Sequence, residues 1–191
     1  MRVAFRADAS VQIGSGHIMR CLSLADALRA GGAETHFVGR TLPGHLGALL
    51  HDRGYAATLL PAPPRALAAA ELTAAPPHAA WLGVSWQTDA AQTAQALQAT
   101  DAVDWLVIDH YALEAQWQGA LRQLARRILV IDDLADRRHD YDLLLDVNLQ
   151  EPAGRYTGLV PPSCRQLLGP SYALLRPQFA AARPQPGRRD G

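Results

Sequence analysis

Three runs in this chain, Trp105-Leu106-Val107-Ile108-Asp109, Ile128-Leu129-Val130-Ile131-Asp132 and Leu143-Leu144-Leu145-Asp146, are apolar without alternation, and each closes on an aspartate. A strand that shows one face to water alternates apolar with polar residues. Uninterrupted runs of this length are covered on both faces, the mark of a parallel sheet flanked by helices. The closing aspartates then fall at the C-terminal edge of the sheet, where open α/β sheets bind their ligands. Val3–Arg6, Thr35–Gly39 and Ala57–Leu60 supply further strands. Between the first two, Ile18, Cys21, Leu22, Ala25 and Leu28 recur at helical spacing until Gly31-Gly32. Three more helical patterns run through Leu46, Leu49 and Leu50 to Gly54, from Ala90 to Leu97, and through Trp117, Leu121 and Leu124 to Arg126. The expected fold class is therefore α/β, a Rossmann-like parallel sheet.

With 191 residues, 49% of them hydrophobic, the chain can build one sizeable core. Residues 1–150 read as a single Rossmann-like domain, interrupted at 61–77 by a Pro- and Ala-rich loop with one short helix. After Asn148, proline and glycine fall too often for long elements. Residues 151–182 read as a connecting segment, and 183–191 as a disordered tail. Eighteen Lys and Arg balance eighteen Asp and Glu, and the basic stretches are short and scattered, which argues against nucleic acid as a partner. No stretch approaches the roughly 20 apolar residues of a membrane span, and charge interrupts the N-terminus before a signal core can form. Two cysteines make no disulfide framework, so the expected location is the cytoplasm, with free thiols. The acidic run 132–142 lacks the spacing of a calcium loop, and its arginines favour internal ion pairs. No metal and no cofactor are expected.

Ile13-Gly14-Ser15-Gly16-His17 lies between the first strand and the first helix, where backbone N–H groups and the positive helix end hold negative charge. Met19 stands where a dinucleotide fingerprint has its third glycine, and no Gly-Lys-Ser/Thr follows, so both the NAD and the ATP signatures fail. Two readings fit His17: a general base kept neutral by the helix end, or a residue that only caps or packs there. Arg20, one turn on, either pairs with phosphate or with Asp8, or stays solvated. At the end of the most hydrophobic strand, Asp109 orients His110 or a loop backbone. Tyr111 offers a sugar a hydroxyl and a flat face, or is simply a structural tyrosine. Cys21 reads as core filler, and Trp81 and Trp86 carry no assignment.

From Phe5-Arg6-Ala7-Asp8-Ala9-Ser10 through Ile13-Gly14-Ser15-Gly16-His17-Ile18-Met19-Arg20-Cys21-Leu22, the chain resembles the UDP-2,4-diacetamido-2,4,6-trideoxy-β-L-altropyranose hydrolases of bacterial pseudaminic acid biosynthesis. Ile108–Tyr111, Ile131–Arg137, Asp142–Asp146, Asn148-Leu149 and Leu168–Pro177 resemble further blocks of that family in the same order. Tyr141 and Val147 depart from it, standing where many relatives have Cys and Gln. The resemblance implies the N-terminal half of a glycosyltransferase-B-like architecture, with a C-terminal UDP-binding half beyond Pro177 that is replaced here by a short tail or supplied as a separate partner. It also implies catalytic roles for His17, as the base that activates water, and for Tyr111, near the sugar. Gly14 and Gly16 shape the loop and Arg176 contacts the substrate. By their own positions in the loop, the first helix and the strand end, Ser15, Arg20, Asp109 and His110 are expected to complete the binding residues. The implied reaction is hydrolysis of a UDP-sugar at its anomeric carbon. A sugar-nucleotide glycosyltransferase and a non-catalytic sugar-binding module are the alternatives.

Overall fold

The computed structural model describes residues 1–64, 78–99, 102–148 and 154–175. Its seven strands form one parallel sheet: β1 (Arg2–Ala7), β2 (Glu34–Arg40), β3 (Ala56–Leu60), β4 (Val103–Asp109), β5 (Ala125–Ile131), β6 (Leu143–Asp146) and β7 (Arg165–Leu168). Helices α1 (Gly16–Ala30), α2 (Gly47–Asp52), α3 (Trp86–Gln98) and α4 (Ala115–Leu121) cross between strands. This is the Rossmann-like α/β fold expected from the apolar runs.

Period-two alternation divides the strands between two cores. Phe5, Phe37 and Val107 pack with Ile18, Cys21 and Leu22 of α1 on one face. Ala4, Leu106, Ile108 and Ile128 pack with Leu97 of α3 and Trp117 and Leu121 of α4 on the other. Because both faces are covered, β4 and β5 carry apolar residues at successive positions.

The sheet order is β3-β2-β1-β4-β5-β6-β7. The chain leaves β1 toward β2 and β3, then returns past β1 to β4 on its other side. The connections after β1 and β4 thus diverge, opening a crevice at their C-terminal ends, the topological switch point of such sheets. Register puts Arg6 beside Ile108 and Ala7 beside Asp109, so the loop after β1 faces the end of β4.

Two details differ from the sequence reading. The helix expected to reach Arg126 stops at Leu121, and a 3-10 turn, Arg122–Leu124, leads straight into β5, whose ladder with β4 begins at Ala125 opposite Val103. In the Pro- and Gly-rich region, β7 adds a short seventh strand by pairing Arg165–Leu168 against Leu143–Asp146. The short helix expected within 61–77 and the disordered tail at 183–191 fall on residues outside the described ones.

Candidate active site

His17 is the second residue of α1 and Asp109 the last of β4. Pairing of β1 with β4 brings them together across the crevice, with His17 Nδ1 lying 2.5 Å from Asp109 Oδ1. An ionised carboxylate only accepts hydrogen bonds, so Nδ1 carries the hydrogen, and in a neutral ring Nε2 is then the nitrogen with the lone pair. Arg20, one helical turn beyond His17, closes a two-pronged contact on the same carboxylate: Nε to Oδ2 at 2.5 Å and Nη2 to Oδ1 at 2.7 Å. Its third nitrogen, Nη1, donates to Asp133 Oδ2 at 3.2 Å, and Tyr111 Oη donates to Asp133 Oδ1 at 2.5 Å. Five side chains from α1 and from the ends of β4 and β5 thus form one hydrogen-bonded chain.

Asp109 is fully buried and His17 only 7% exposed. Burial pushes the Asp109 carboxyl up, but hydrogen bonds from Arg20 and His17 and the charge of Arg20 outweigh it and hold the group below the usual carboxylate range. Burial also drives the Tyr111 phenol upward, and its bond to Asp133 adds to this, so it stays protonated and a donor. The Cys21 thiol, 3.7 Å from Asp109 Oδ2, is pushed up by burial and then by that carboxylate. Cys21 therefore belongs to the core, as its position on the apolar stripe of α1 suggests, while also touching the site.

Asp109 orients His17 rather than His110. His110 lies one residue further on and turns under the sheet edge, where its Nδ1 accepts from the Ala112 N–H at 3.0 Å and its Nε2 lies 3.3 Å from Asp8 Oδ2. Burial lowers its basicity, so the ring is neutral. Asp8 does not pair with Arg20. It accepts two bonds from Arg6, at 2.7 and 2.9 Å, and one from the Arg40 backbone N–H at 2.6 Å. Gly39, just before that N–H, suits the close packing here, since a Cβ would meet the Ala7 carbonyl at 3.0 Å, tighter than an ordinary contact. Asp89 of α3 completes this dry cluster, bonded to Arg6, to Arg40 and to the Trp117 indole. Arg6, Asp8, Arg40, Asp89 and His110 are thus a buried polar floor beneath the crevice.

The loop before His17 is tightly self-bonded. Ser10 Oγ accepts from the N–H groups of Gln12 and Ile13, and the Ser10 carbonyl accepts from Gly14 N–H at 2.8 Å, with Gly14 at φ 80°. Gly14, Ser15 and Gly16 are exposed at the mouth of the crevice, and the Ser15 side chain makes no cap bond to α1. Arg176 lies outside the described residues.

Sequence reasoning missed the aromatic wall. Tyr111 meets the His17 ring edge-on at 4.8 Å, and Trp81 does so at 6.5 Å. His78 packs against both Trp81 and Tyr111, at 4.6 and 5.3 Å. The apolar His78–Trp86 stretch offered no periodicity by which to place Trp81. A hollow of about 290 Å³ is lined by Trp81, the Ser10–Gln12 loop, Leu42 and Pro43. A larger hollow of about 820 Å³ opens at the opposite, N-terminal edge of the sheet, near Arg2, Arg29 and His36, away from these side chains. At the C-terminal crevice His17 and Arg20 converge on one buried carboxylate, Asp109.

Among the described residues no cluster of three His, Cys, Asp or Glu is arranged to hold a metal ion, and no helix is long and apolar enough to cross a membrane. The acidic run 132–142 is largely neutralised from within and by its neighbours: Arg137 bonds Asp132 and Asp136, and Arg122 grips Asp142 with both terminal nitrogens.

Over 180 residues, 94% of its length, the chain is 29% identical to the UDP-2,4-diacetamido-2,4,6-trideoxy-beta-L-altropyranose hydrolase of Campylobacter jejuni. It is similar to a UDP-sugar hydrolase. The match covers 53% of that hydrolase, so the chain spans about half the length of the relative. No family model matches the chain. The similarity extends across the segments that carry His17, Arg20, Asp109, Tyr111 and Asp133.

Proposed function

We propose that this chain provides the base-bearing half of a hydrolase acting on a UDP-linked 2,4-diacetamido-2,4,6-trideoxyhexose. The observation that supports the reading is the 2.5 Å contact of His17 Nδ1 with a fully buried Asp109; in the neutral ring this makes Nε2 the proton acceptor at the switch-point crevice. The similarity to the Campylobacter hydrolase supplies the substrate class.

In the proposed reaction a water oxygen attacks the anomeric carbon while His17 Nε2 takes one of its protons. The bond from that carbon to the phosphate oxygen breaks on the opposite face, and its electron pair leaves with UDP. The hexose keeps the new hydroxyl with inverted configuration, and His17 later returns its proton to solvent. Diphosphate is already a good leaving group, so one base is the main demand on this half. General-base assistance is worth ~10² to 10⁴ in rate. Exposed Gly14, Ser15 and Gly16 at the N-terminus of α1 favour the nearby negative charge of the diphosphate. Tyr111 and Trp81 offer flat faces to the sugar. UDP is held largely by a second lobe, met either in the same polypeptide or as a partner.

The test is incubation with the UDP-sugar in ¹⁸O-water, with and without the remaining half of the Campylobacter relative supplied as a separate polypeptide. UDP and free hexose are expected without any acceptor, with ¹⁸O on the sugar. Strict dependence on an acceptor would establish a transferase instead. Label in UDP, or no turnover with both halves present, contradicts the hydrolase reading.

A further inference from the structure

We infer that Arg20 is a positioning residue for His17: its guanidinium, by occupying both oxygens of Asp109, keeps the imidazole neutral and correctly turned. The inference rests on reading His17 as the base, and it assigns Arg20 a role within the protein rather than on the substrate.

A dry carboxylate that faces only an imidazole draws a second proton onto the ring, because a buried negative charge is stabilised by making its neighbour positive. An imidazolium has no lone pair and is no base. Asp109 escapes that outcome because the positive charge it needs is already present. Arg20 Nε and Nη2 sit on Oδ2 and Oδ1 at 2.5 and 2.7 Å, and a guanidinium is not deprotonated in proteins. One lone pair of Oδ1 remains for the His17 Nδ1–H. The fork also fixes the plane of the carboxylate, and with it the direction of the hydrogen bond that selects the ring tautomer. Because Arg20 follows His17 by one turn of α1, the base and its guard move as one body.

The other groups around the ring do not replace Arg20. From the end of β4, His110 is neutral and stacks 6.5 Å away, and Tyr111 presents a protonated phenol ring at 4.8 Å. From the turn before α3 comes the uncharged Trp81, while His78 leans on Trp81 and Tyr111. Asp133, from the loop after β5, is the second carboxylate near the site, and it is reached through Arg20 Nη1 at 3.2 Å. Removing the guanidinium therefore leaves Asp109 uncompensated against the imidazole, which pushes the ring toward imidazolium, and takes from Asp133 its ion pair while the Tyr111 bond remains. Asp133 has 25% of its side chain exposed and is partly screened by water, whereas Asp109 has none.

The test needs no turnover, so its failure is distinguishable from failure of the hydrolase reading. The full chain is labelled with ¹⁵N-histidine, and the ring nitrogens of His17 are assigned by their loss in His17→Gln. In the unsubstituted chain at pH 7.5 the expected spectrum is that of a neutral ring protonated on Nδ1. Arg20→Met is expected to raise the ratio of imidazolium to imidazole about ten-fold or more, the effect of an uncompensated charge at this range. Arg20→Lys restores a positive charge without the fork. It should return the ring toward neutral while weakening the Nδ1–H signal, and it serves as the second variant should Arg20→Met fold poorly. With both halves present, Arg20→Met should lower kcat more than it raises KM. Unchanged His17 nitrogen shifts in both folded variants, with only KM altered, would overturn the inference and make Arg20 a substrate ligand.

Discussion

Asp109 Oδ1 and His17 Nδ1 stand 2.5 Å apart although 92 positions separate them in the chain, and the carboxylate is fully buried while the ring keeps a slight opening to solvent. A buried acceptor on one ring nitrogen defines the function of the other. Asp109→Asn changes the side chain's volume little but lets an amide N–H face the ring, which favours hydrogen on Nε2, the wrong tautomer for a base. The expected result is a kcat lower by about 10²-fold or more with a smaller change in KM. Steady-state kinetics with both halves present checks it, and equal effects on both parameters contradict it.

Asp89 compensates two buried guanidiniums, those of Arg6 and Arg40, and accepts from the Trp117 indole. Asp89→Ala leaves Asp8, bonded to Arg6, as the remaining carboxylate for two buried guanidiniums, so one positive charge is uncompensated. The expected loss is about 3–5 kcal/mol, the usual effect of breaking a buried pair from one side. Urea unfolding measures it, and a loss below about 1 kcal/mol would mean that water reaches the floor of the crevice.

His139 gives the fold an acid sensitivity of its own. Its Nδ1 accepts from Gln118 Nε2 at 2.9 Å, and burial followed by the nearby Arg137 charge lowers its pKa to about 4. The unfolded chain, with an ordinary histidine near 6.5, binds this proton more readily than the folded one. Stability is therefore full above about pH 6.5 and declines as pH falls toward about 4. Thermal unfolding should show Tm dropping across that window, with a shallower drop in His139→Gln. Identical slopes for the two chains would remove His139 as the cause.

Tyr111 touches His17 with its ring and Asp133 with its hydroxyl. Tyr111→Phe keeps the edge contact and leaves Asp133 bonded to Arg20, so turnover should fall by roughly ten-fold or less, the worth of one hydrogen bond. Tyr111→Ala also opens the wall and should cost more. If the two variants are equally impaired, the hydroxyl is the part that matters.

The sheet was legible because β4, β5 and β6 each carry a run that is apolar without alternation, a pattern that burial on both faces explains. The loop and His17 were legible from the glycines and from their place between the first strand and the first helix. The partner of His17 was not. Asp109 could be put at a strand end, but whether it faced His110, a loop or His17 depended on the register of β1 against β4, which local spacing does not encode. The buried roles of Arg6 and Arg40 carry no local signal, because their compensation comes from Asp8 and Asp89, the latter on a helix 83 positions away from Arg6. Trp81 was silent for the same reason: its meaning lies in contacts with His17, His78 and Tyr111. The strand at Arg165–Leu168 was hidden by the flanking prolines, which argue against long elements but permit a strand of four residues.

The most direct measurement is the rate of UDP release by His17→Ala beside that of the unsubstituted chain, each combined with the same second half. A loss of about 10² to 10⁴ in kcat, with the folded state intact by circular dichroism, is the expected result. Turnover within a few-fold of the unsubstituted rate would take the proton-accepting role away from His17.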